Sequence, residues 1–341
     1  MRLEAKDFSG RVTFITGPEK HCGKTTLLNR ALGLLREAGE KPAFLGVGFD
    51  GECRDDLTAA RKPRIRCEAG EVFVTAERYL RASACLPEIL DLLPGRSAMG
   101  RLAIAKARRG GEVIIVGPER NDLASFALER IREEGWASSV VVDGAINRIT
   151  QVSAFFGARF LFALRVGPAD LDRQAKRARL VASLACLPAF PRATASNDGR
   201  GAPPIRGSEN ANAAVFHGAV GLCGVAGPGF PARRIPDSEA EASGLNAPAY
   251  ELFGPLTEDS AARLPEDARS LIVEDFTKVF LDLAALGVFR RGKFLGVRSS
   301  VDFGGFVVVL RDLSRERFEA ALGDDELAQF VAYNPYEAAC A

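Results

Sequence analysis

The sequence predicts an α/β fold: a mostly parallel sheet covered by helices on both faces, with a C-terminal α/β extension. Three observations predict it. Apolar runs of strand length, VTFI at 12–15, EVIIV at 112–116, SVVV at 139–142 and FLFALRV at 160–166, lack polar alternation, as strands buried on both faces do. Amphipathic helical stretches at 24–37, 121–134 and 169–185 alternate with them, which is the pattern of parallel βαβ units. A glycine turn joins the first of these strands directly to the first helix.

Residues 11–28 read RVTFITGPEKHCGKTTLL. An apolar run through Val12, Phe14 and Ile15 leads into a turn on Gly17-Pro18. Gly23-Lys24-Thr25-Thr26 follow, and Leu27, Leu28, Ala31, Leu32, Leu34 and Leu35 then make a helical apolar face that stops at Gly39. Strand, glycine loop, GKT and helix form a P-loop, the fold element of P-loop NTPases. Its chemistry is local. Glycine lets backbone N–H groups wrap a phosphate, and the new helix turns its unpaired N–H groups toward the same oxygens. Lys24 supplies a charge for the β- and γ-phosphates, and the Thr25 hydroxyl is placed to ligate Mg²⁺. Gly17, Pro18, Glu19, Lys20, His21, Cys22, Gly23, Lys24, Thr25 and Thr26 are therefore the expected nucleotide-binding residues. Five residues separate Gly17 from Gly23, one more than the commonest spacing, and Pro18 stands where a glycine is usual.

The remaining elements follow in order. Residues 42–49 read as a second strand ending in Phe49-Asp50-Gly51-Glu52, 54–66 as a basic loop, and 72–74 as a short strand. Residues 76–93 read as a helix with a break at Pro87; 101–108 fit a strand or a short helix. Residues 191–248 are rich in Pro, Gly, Ala, Ser and Asn, with short elements expected near 213–225. Beyond them 270–273, 293–297 and 306–310 read as strands, and 275–286, 313–322 and 326–333 as helices. The expected organisation is a P-loop nucleotide-binding domain over 1–190, a connecting region over 191–248 and a C-terminal α/β region over 249–341. That last region reads as a second small module or as an extension of the first sheet.

A P-loop needs an acidic partner on the metal side, usually at the tip of a neighbouring buried strand. Asp50, Glu119 and Asp143 end three such runs, and Asp50 and Asp143 have the contexts that favour Mg²⁺; an Asp-Gly after a strand is otherwise simply a turn. Arg148, and Lys62, Arg64 and Arg66 in the loop, are candidates to stabilise charge developing on a transferred phosphoryl group. Lys24, Asp143 and Arg148 are the expected catalytic set, and Thr25, Asp50 and Asp143 the expected metal set. The chain has no N-K-x-D motif for reading guanine, so ATP is the expected nucleotide.

Composition excludes several classes. Among 341 residues, 45 basic and 44 acidic side chains leave no electrostatic footprint for nucleic acid or an anionic membrane. Seven dispersed cysteines without a CxxC read as free thiols in a reducing compartment, and two histidines, His21 and His217, offer little for zinc. The N-terminus has no apolar core of signal type, and the longest apolar stretch, 213–230, is broken by glycines and a proline. A cytoplasmic protein is expected.

Two family resemblances arise from these residues. The five-residue spacing before GKTT and Asp143-Gly144-Ala145 are similar to dethiobiotin synthetase and related P-loop ATPases, although Asn147 and Arg148 depart from that family's glycine run. More of the chain resembles the reactivase subunit associated with lysine 5,6-aminomutase, a P-loop protein of lysine fermentation. The stretches that carry it are GPEKHCGKTTLLN, LGVGFDGE, RKPRIRCEAGEVFVTAE, GGEVIIVGPE, VVVDGAINR and LIVEDFTKVFL, in order, over about the first 190 residues and again over 270–296. This resemblance implies an ATPase that opens an adenosylcobalamin-dependent aminomutase to release a damaged corrinoid, working with a second ATPase subunit. It also implies that Lys24, Thr25, Asp50, Glu52 and Asp143 hold MgATP. Lys62, Pro63, Arg64, Thr75, Ala76 and Glu77 match its most distinctive segment, with Glu77 a switch residue or simply a helix-capping one.

Overall fold

The structure is a computed structural model that describes residues 1–18, 22–47, 65–81, 83–97, 99–144, 158–190 and 232–333. The chain divides into two compact units, Met1–Ala185 with Val301–Ala341, and Cys186–Ser300. In chain order the first unit contains β1 (Val12–Thr16), α1 (Lys24–Glu37), β2 (Ala43–Val47), β3 (Ile65–Cys67), β4 (Val72–Ala76) and α2 (Glu77–Leu80). There follow β5 (Pro87–Ser97), β6 (Gly100–Ala107), β7 (Gly111–Val113), α3 (Asn121–Glu133), β8 (Val140–Gly144), β9 (Arg159–Val166) and α4 (Leu171–Ala185). The second unit contains β10 (Ala232–Ile235), α5 (Asp237–Ala242), β11 (Ala249–Leu252), α6 (Glu258–Ala262), β12 (Ser270–Val273), α7 (Leu283–Gly292) and β13 (Phe294–Val297). The chain then returns to the first unit with β14 (Asp302–Leu310), α8 (Arg315–Leu322), α9 (Asp325–Ala328) and β15 (Val331–Tyr333).

The first unit is an α/β structure on a nine-stranded sheet of order β15-β14-β9-β1-β8-β2-β4-β6-β5. The seven strands from β15 to β4 are parallel, and β6 and β5 add an antiparallel hairpin at one edge. Both faces are buried. Ile15, Phe44, Phe73, Val141, Leu161 and Val307 join the buried face of α1 (Leu27, Leu28, Ala31, Leu32, Leu35) in one cluster. Their alternates on the same strands, Phe14, Leu45, Val142, Phe162 and Val308, are also buried. Each such side chain contributes about 1.5–3 kcal/mol by leaving water. The connections β1-α1-β2 and β9-α4-β14 run outward in opposite directions, so right-handed crossovers set α1 and α4 on opposite faces. The order therefore reverses between β1 and β9, and the crevice of such a sheet opens there at the carboxyl ends of the strands.

The unit boundaries differ from those expected. Residues 302–333 do not join 249–297 in a C-terminal region: β14 pairs β9 from Asp302↔Arg159 to Leu310↔Val166 and β15 extends the same sheet. Aromatic contacts explain the pairing, with Phe160 and Phe303 rings 4.9 Å apart and Phe162 and Phe306 rings 6.1 Å apart edge to face. The predicted connecting region ends early too, since β10 and α5 lie within 232–248. The short elements expected near 213–225 lie outside the described residues.

Four further elements are corrected. The helix expected over 76–93 is four residues of α2, and Pro87–Ser97 is the edge strand β5, where Pro87 and Pro94 are tolerated because an edge leaves their missing N–H groups uncalled for. The strand expected over 112–116 shrinks to β7, which pairs β3 antiparallel in a separate two-stranded ladder. The helix expected over 275–286 is a 3-10 turn, Phe276–Lys278, and then α7, because Asp275 and Asp282 each accept a backbone N–H as caps and split it. The helix expected over 326–333 is α9 followed by β15.

The second unit has its own four-stranded sheet, β10-β11-β12-β13, parallel except for β10. Ile235, Ala240, Leu245, Ala249 and Ile272 pack on one face with Phe190 and Phe294. Glu251, buried on β11, is held by Arg233 Nη2 and Arg298 Nε, each at 2.9 Å. Cys22, Cys67, Cys85 and Cys186 are free thiols. Burial, reinforced by neighbouring Cys85, pushes the Cys67 thiol up to about 12. No helix of the described residues is long and apolar enough to cross a membrane.

Candidate functional site

The candidate site lies where β1 hands over to α1. β1 ends at Thr16, alongside Phe162 of β9, while β9 and β14 continue four residues further to Val166 and Leu310. Their longer ends form a wall beside the β1-α1 loop. Gly17 crosses that wall with no room for a side chain: an added Cβ would lie 2.6 Å from Cys22 Sγ and 2.7 Å from Ala163 O. Gly23 then turns the chain into α1 at φ 99°, in the left-handed region that glycine enters without strain, and a Cβ added there would lie 3.1 Å from Val309 Cγ2 of β14.

Lys24 is the first residue of α1 and is only 9% exposed. Its Nζ donates to Cys22 Sγ at 3.6 Å. The N-cap, Gly23, offers no side-chain acceptor, and no acidic residue lies in the first turn. The first turn thus has neither a side-chain cap nor an acidic residue, and a cation stands where the helix dipole alone disfavours one. Thr25 and Thr26 complete the turn and are half-buried.

Asp143 comes to the same place from the next strand. β8 lies directly beside β1, with Ile15 opposite Asp143, and Gly46 of β2 flanks it on the other side. Paired residues in a parallel ladder share a face, and Val141, two residues earlier, packs in the cluster under α1. The Asp143 side chain therefore faces α1 at the carboxyl edge of the sheet. Asp170 also lies at this edge, after β9; its Oδ1 accepts Gly167 N–H at 2.8 Å and its Oδ2 accepts Gln174 Nε2 at 3.1 Å. Those bonds and the nearby Arg173 outweigh burial and hold its carboxyl below the usual carboxylate range.

The structure thus brings together Gly17, Cys22, Gly23, Lys24, Thr25, Thr26 and Asp143, with Pro18 at the start of the loop. Glu19, Lys20, His21, Asp50, Glu52, Lys62, Pro63, Arg64 and Arg148 lie outside the described residues. Glu119 does not end a strand of the main sheet; it is exposed beyond the β3-β7 ladder. Thr75 is buried and donates to Ile114 O at 2.6 Å, and Glu77 is exposed at the start of α2. Arg66 lies on β3, its carbonyl accepting Arg36 Nη2. Among the described residues no three His, Cys, Asp or Glu side chains gather in a way that would hold a metal by themselves.

Two features of this edge were not singled out from the sequence. The wall made by Ala163 and Val309 comes from strands far apart in the chain. Asp170 follows an apolar strand in Gly167-Pro168-Ala169-Asp170, a strand-to-helix signal that marked only the helix start. Compared with protein-family models, with curated proteins and with solved structures, the chain matches none.

Proposed function

We propose that this chain is a P-loop ATP-binding protein whose nucleotide phosphates sit on the first turn of α1. The observation that carries the reading is the placement of a buried lysine at the first position of a helix entered through a left-handed glycine, with an aspartate on the adjacent parallel strand facing that helix. A lysine in this position is unfavourable for the helix alone and becomes favourable when a polyphosphate occupies the turn. The residues fit the nucleotide and its metal. Lys24 would meet the β- and γ-phosphates, and the backbone N–H groups of Lys24, Thr25 and Thr26 would donate to the same oxygens. Thr25 and Asp143 would hold Mg²⁺, which when bound neutralises charge on the phosphates. Water held near Asp143 would be oriented through its carboxylate.

Within that class the resemblance of the chain supports an ATPase that reactivates an adenosylcobalamin-dependent aminomutase with a second ATPase subunit. The loop spacing supports a second reading, an ATP-dependent small-molecule ligase or kinase of dethiobiotin synthetase type. One experiment separates them. MgATP turnover is measured alone, with a purified adenosylcobalamin aminomutase, and with diamine or amino-acid acceptors. Stimulation by the mutase with corrinoid release supports the first; turnover dependent on a small acceptor supports the second. Failure of wild-type protein to bind MgATP in calorimetry rejects both.

A further inference from the structure

A second charged feature lies at the carboxyl edge of the same sheet. A groove of about 710 Å³ opens between the N-terminal parts of α4 and α8, lined by Pro168, Asp172, Arg173, Lys176 and Arg317 among others. Three cations and one carboxylate share its lining, all four as exposed side chains. Arg173 is already paired with Asp170, at 3.2 Å. The Lys176 ammonium and the Arg317 guanidinium have no ion-pair or hydrogen-bond partner among the described residues. An anion bound in the groove would gain from both charges, most at low ionic strength, where exposed charges are least screened.

Size and position narrow the occupant. The volume is that of a small-molecule site, not of a long interface. Pro168 is the second residue after β9, so the groove belongs to the edge at which open α/β sheets take ligands. Arg317 adds a planar fork suited to two oxygens of one anionic group, and Lys176 a point charge in the same lining. Asp172 on the rim disfavours a fully anionic molecule and favours one whose acidic group is confined to one end.

We propose that this groove binds the phosphate or carboxylate group of a small molecule, at a site separate from Lys24. The proposal does not depend on the nucleotide reading, and its test is built to keep the two apart. Binding of inorganic phosphate, and in a second arm of succinate, is measured by calorimetry at low ionic strength in a Lys24→Ala background, which removes the α1 site. Binding of either anion is expected to persist there and to weaken at least tenfold in Lys176→Glu/Arg317→Glu. The milder pair Lys176→Gln/Arg317→Gln is expected to weaken it by less, and Lys176→Arg to retain it. Circular dichroism checks that each variant is folded, and the Gln pair carries the test if the Glu pair is not. A preference for phosphate or for succinate identifies the source of the acidic group. Affinity unchanged by both double variants, or lost in Lys24→Ala alone, overturns the proposal.

Discussion

Lys24 Nζ lies 3.6 Å from Cys22 Sγ, and both side chains are buried at the carboxyl end of β1. A thiol is a weak acceptor for an ammonium group. The lysine also stands at the positive end of α1, where the dipole opposes it. Lys24→Ala removes this charge and is expected to leave the chain folded, as circular dichroism would check. The same change is expected to weaken MgATP binding by roughly a hundredfold, as loss of a charge-assisted contact worth about 1.5–3 kcal/mol implies. Calorimetric ATP affinity equal to that of the wild type would falsify the nucleotide assignment.

The two glycines of this segment with contrasting surroundings make a second test. At Gly17 a Cβ meets Cys22 Sγ at 2.6 Å and the Ala163 carbonyl at 2.7 Å, and the latter is backbone that cannot step aside cheaply. Gly17→Ala is expected to destabilise the protein by about 1–3 kcal/mol. At Gly33, inside α1, nothing lies within 4 Å of the same atom. Gly33→Ala is expected to stabilise by about 0.5–1 kcal/mol, because alanine loses less backbone freedom in a helix. Denaturant midpoints of the two variants should move in opposite directions.

Asp143 faces α1 from the strand next to β1, with Ile15 opposite it. Its proposed work is on the metal, so it should affect turnover more than nucleotide capture. Asp143→Asn is expected to lower Mg²⁺-dependent ATP hydrolysis by about a hundredfold or more while ATP affinity without Mg²⁺ stays within a factor of about three, since a group that stabilises developing charge is worth about 2.7–4 kcal/mol when removed. Asp50→Asn is the comparison. Turnover that survives Asp143→Asn and disappears in Asp50→Asn transfers the metal role to Asp50.

How much of this was legible in the sequence follows from what each signal needs. The β1-α1 junction and the strand of Asp143 were legible because both rest on local chemistry: an apolar run, a glycine and a helix start. The parallel sheet was legible from runs without alternation. What β14 and β15 belong to was not. Phe303 and Phe306 mark apolar strands wherever they pair, and only contact with Phe160 and Phe162, more than a hundred residues earlier, assigns them to the first sheet. The edge strand β5 was hidden for another reason. Leu86, Ile89 and Leu92 recur at helical spacing, yet all three are exposed, Leu86 just before and the other two on an irregular strand with two register shifts. Periodicity cannot tell a bulged strand from a helix of that length. The groove at α4 and α8 depends on two helices bringing Lys176 and Arg317, 141 residues apart in the chain, to one lining, which no local pattern encodes.

Asp170 links stability to pH. Partial burial raises its carboxyl, but the Gly167 N–H, the Gln174 amide and Arg173 together bring it below the ordinary value. A carboxyl lowered on folding contributes stability that is fully present above the unfolded value, near 4, and is lost as pH falls through the folded one. Asp170→Asn is expected to lower the melting temperature at pH 7 and to flatten its fall in the acid range. Parallel acid-melting curves for the variant and the wild type would rule out this role.

Arg36 and Glu71 tie the last turn of α1 to the turn before β4. Arg36 donates through Nε to Glu71 Oε1 at 2.6 Å and through Nη2 to Glu71 Oε2 at 2.8 Å, a bidentate pair. Glu71 also accepts the Glu68 N–H, and its side chain is only 1% exposed, against 17% for Arg36. Removing the arginine strands a buried carboxylate, so Arg36→Ala is expected to cost about 3–5 kcal/mol. Removing both charges is milder, because the desolvation of Glu71 disappears with its partner. Arg36→Met/Glu71→Leu is thus expected to be more stable than Arg36→Ala, with a coupling of roughly 1–3 kcal/mol in a double-mutant cycle by urea unfolding. The pair lies at the opposite end of α1 from Lys24, so ATP affinity should be unchanged in the double variant. Additive single effects in that cycle would show that the two side chains stabilise α1 independently and not as a pair.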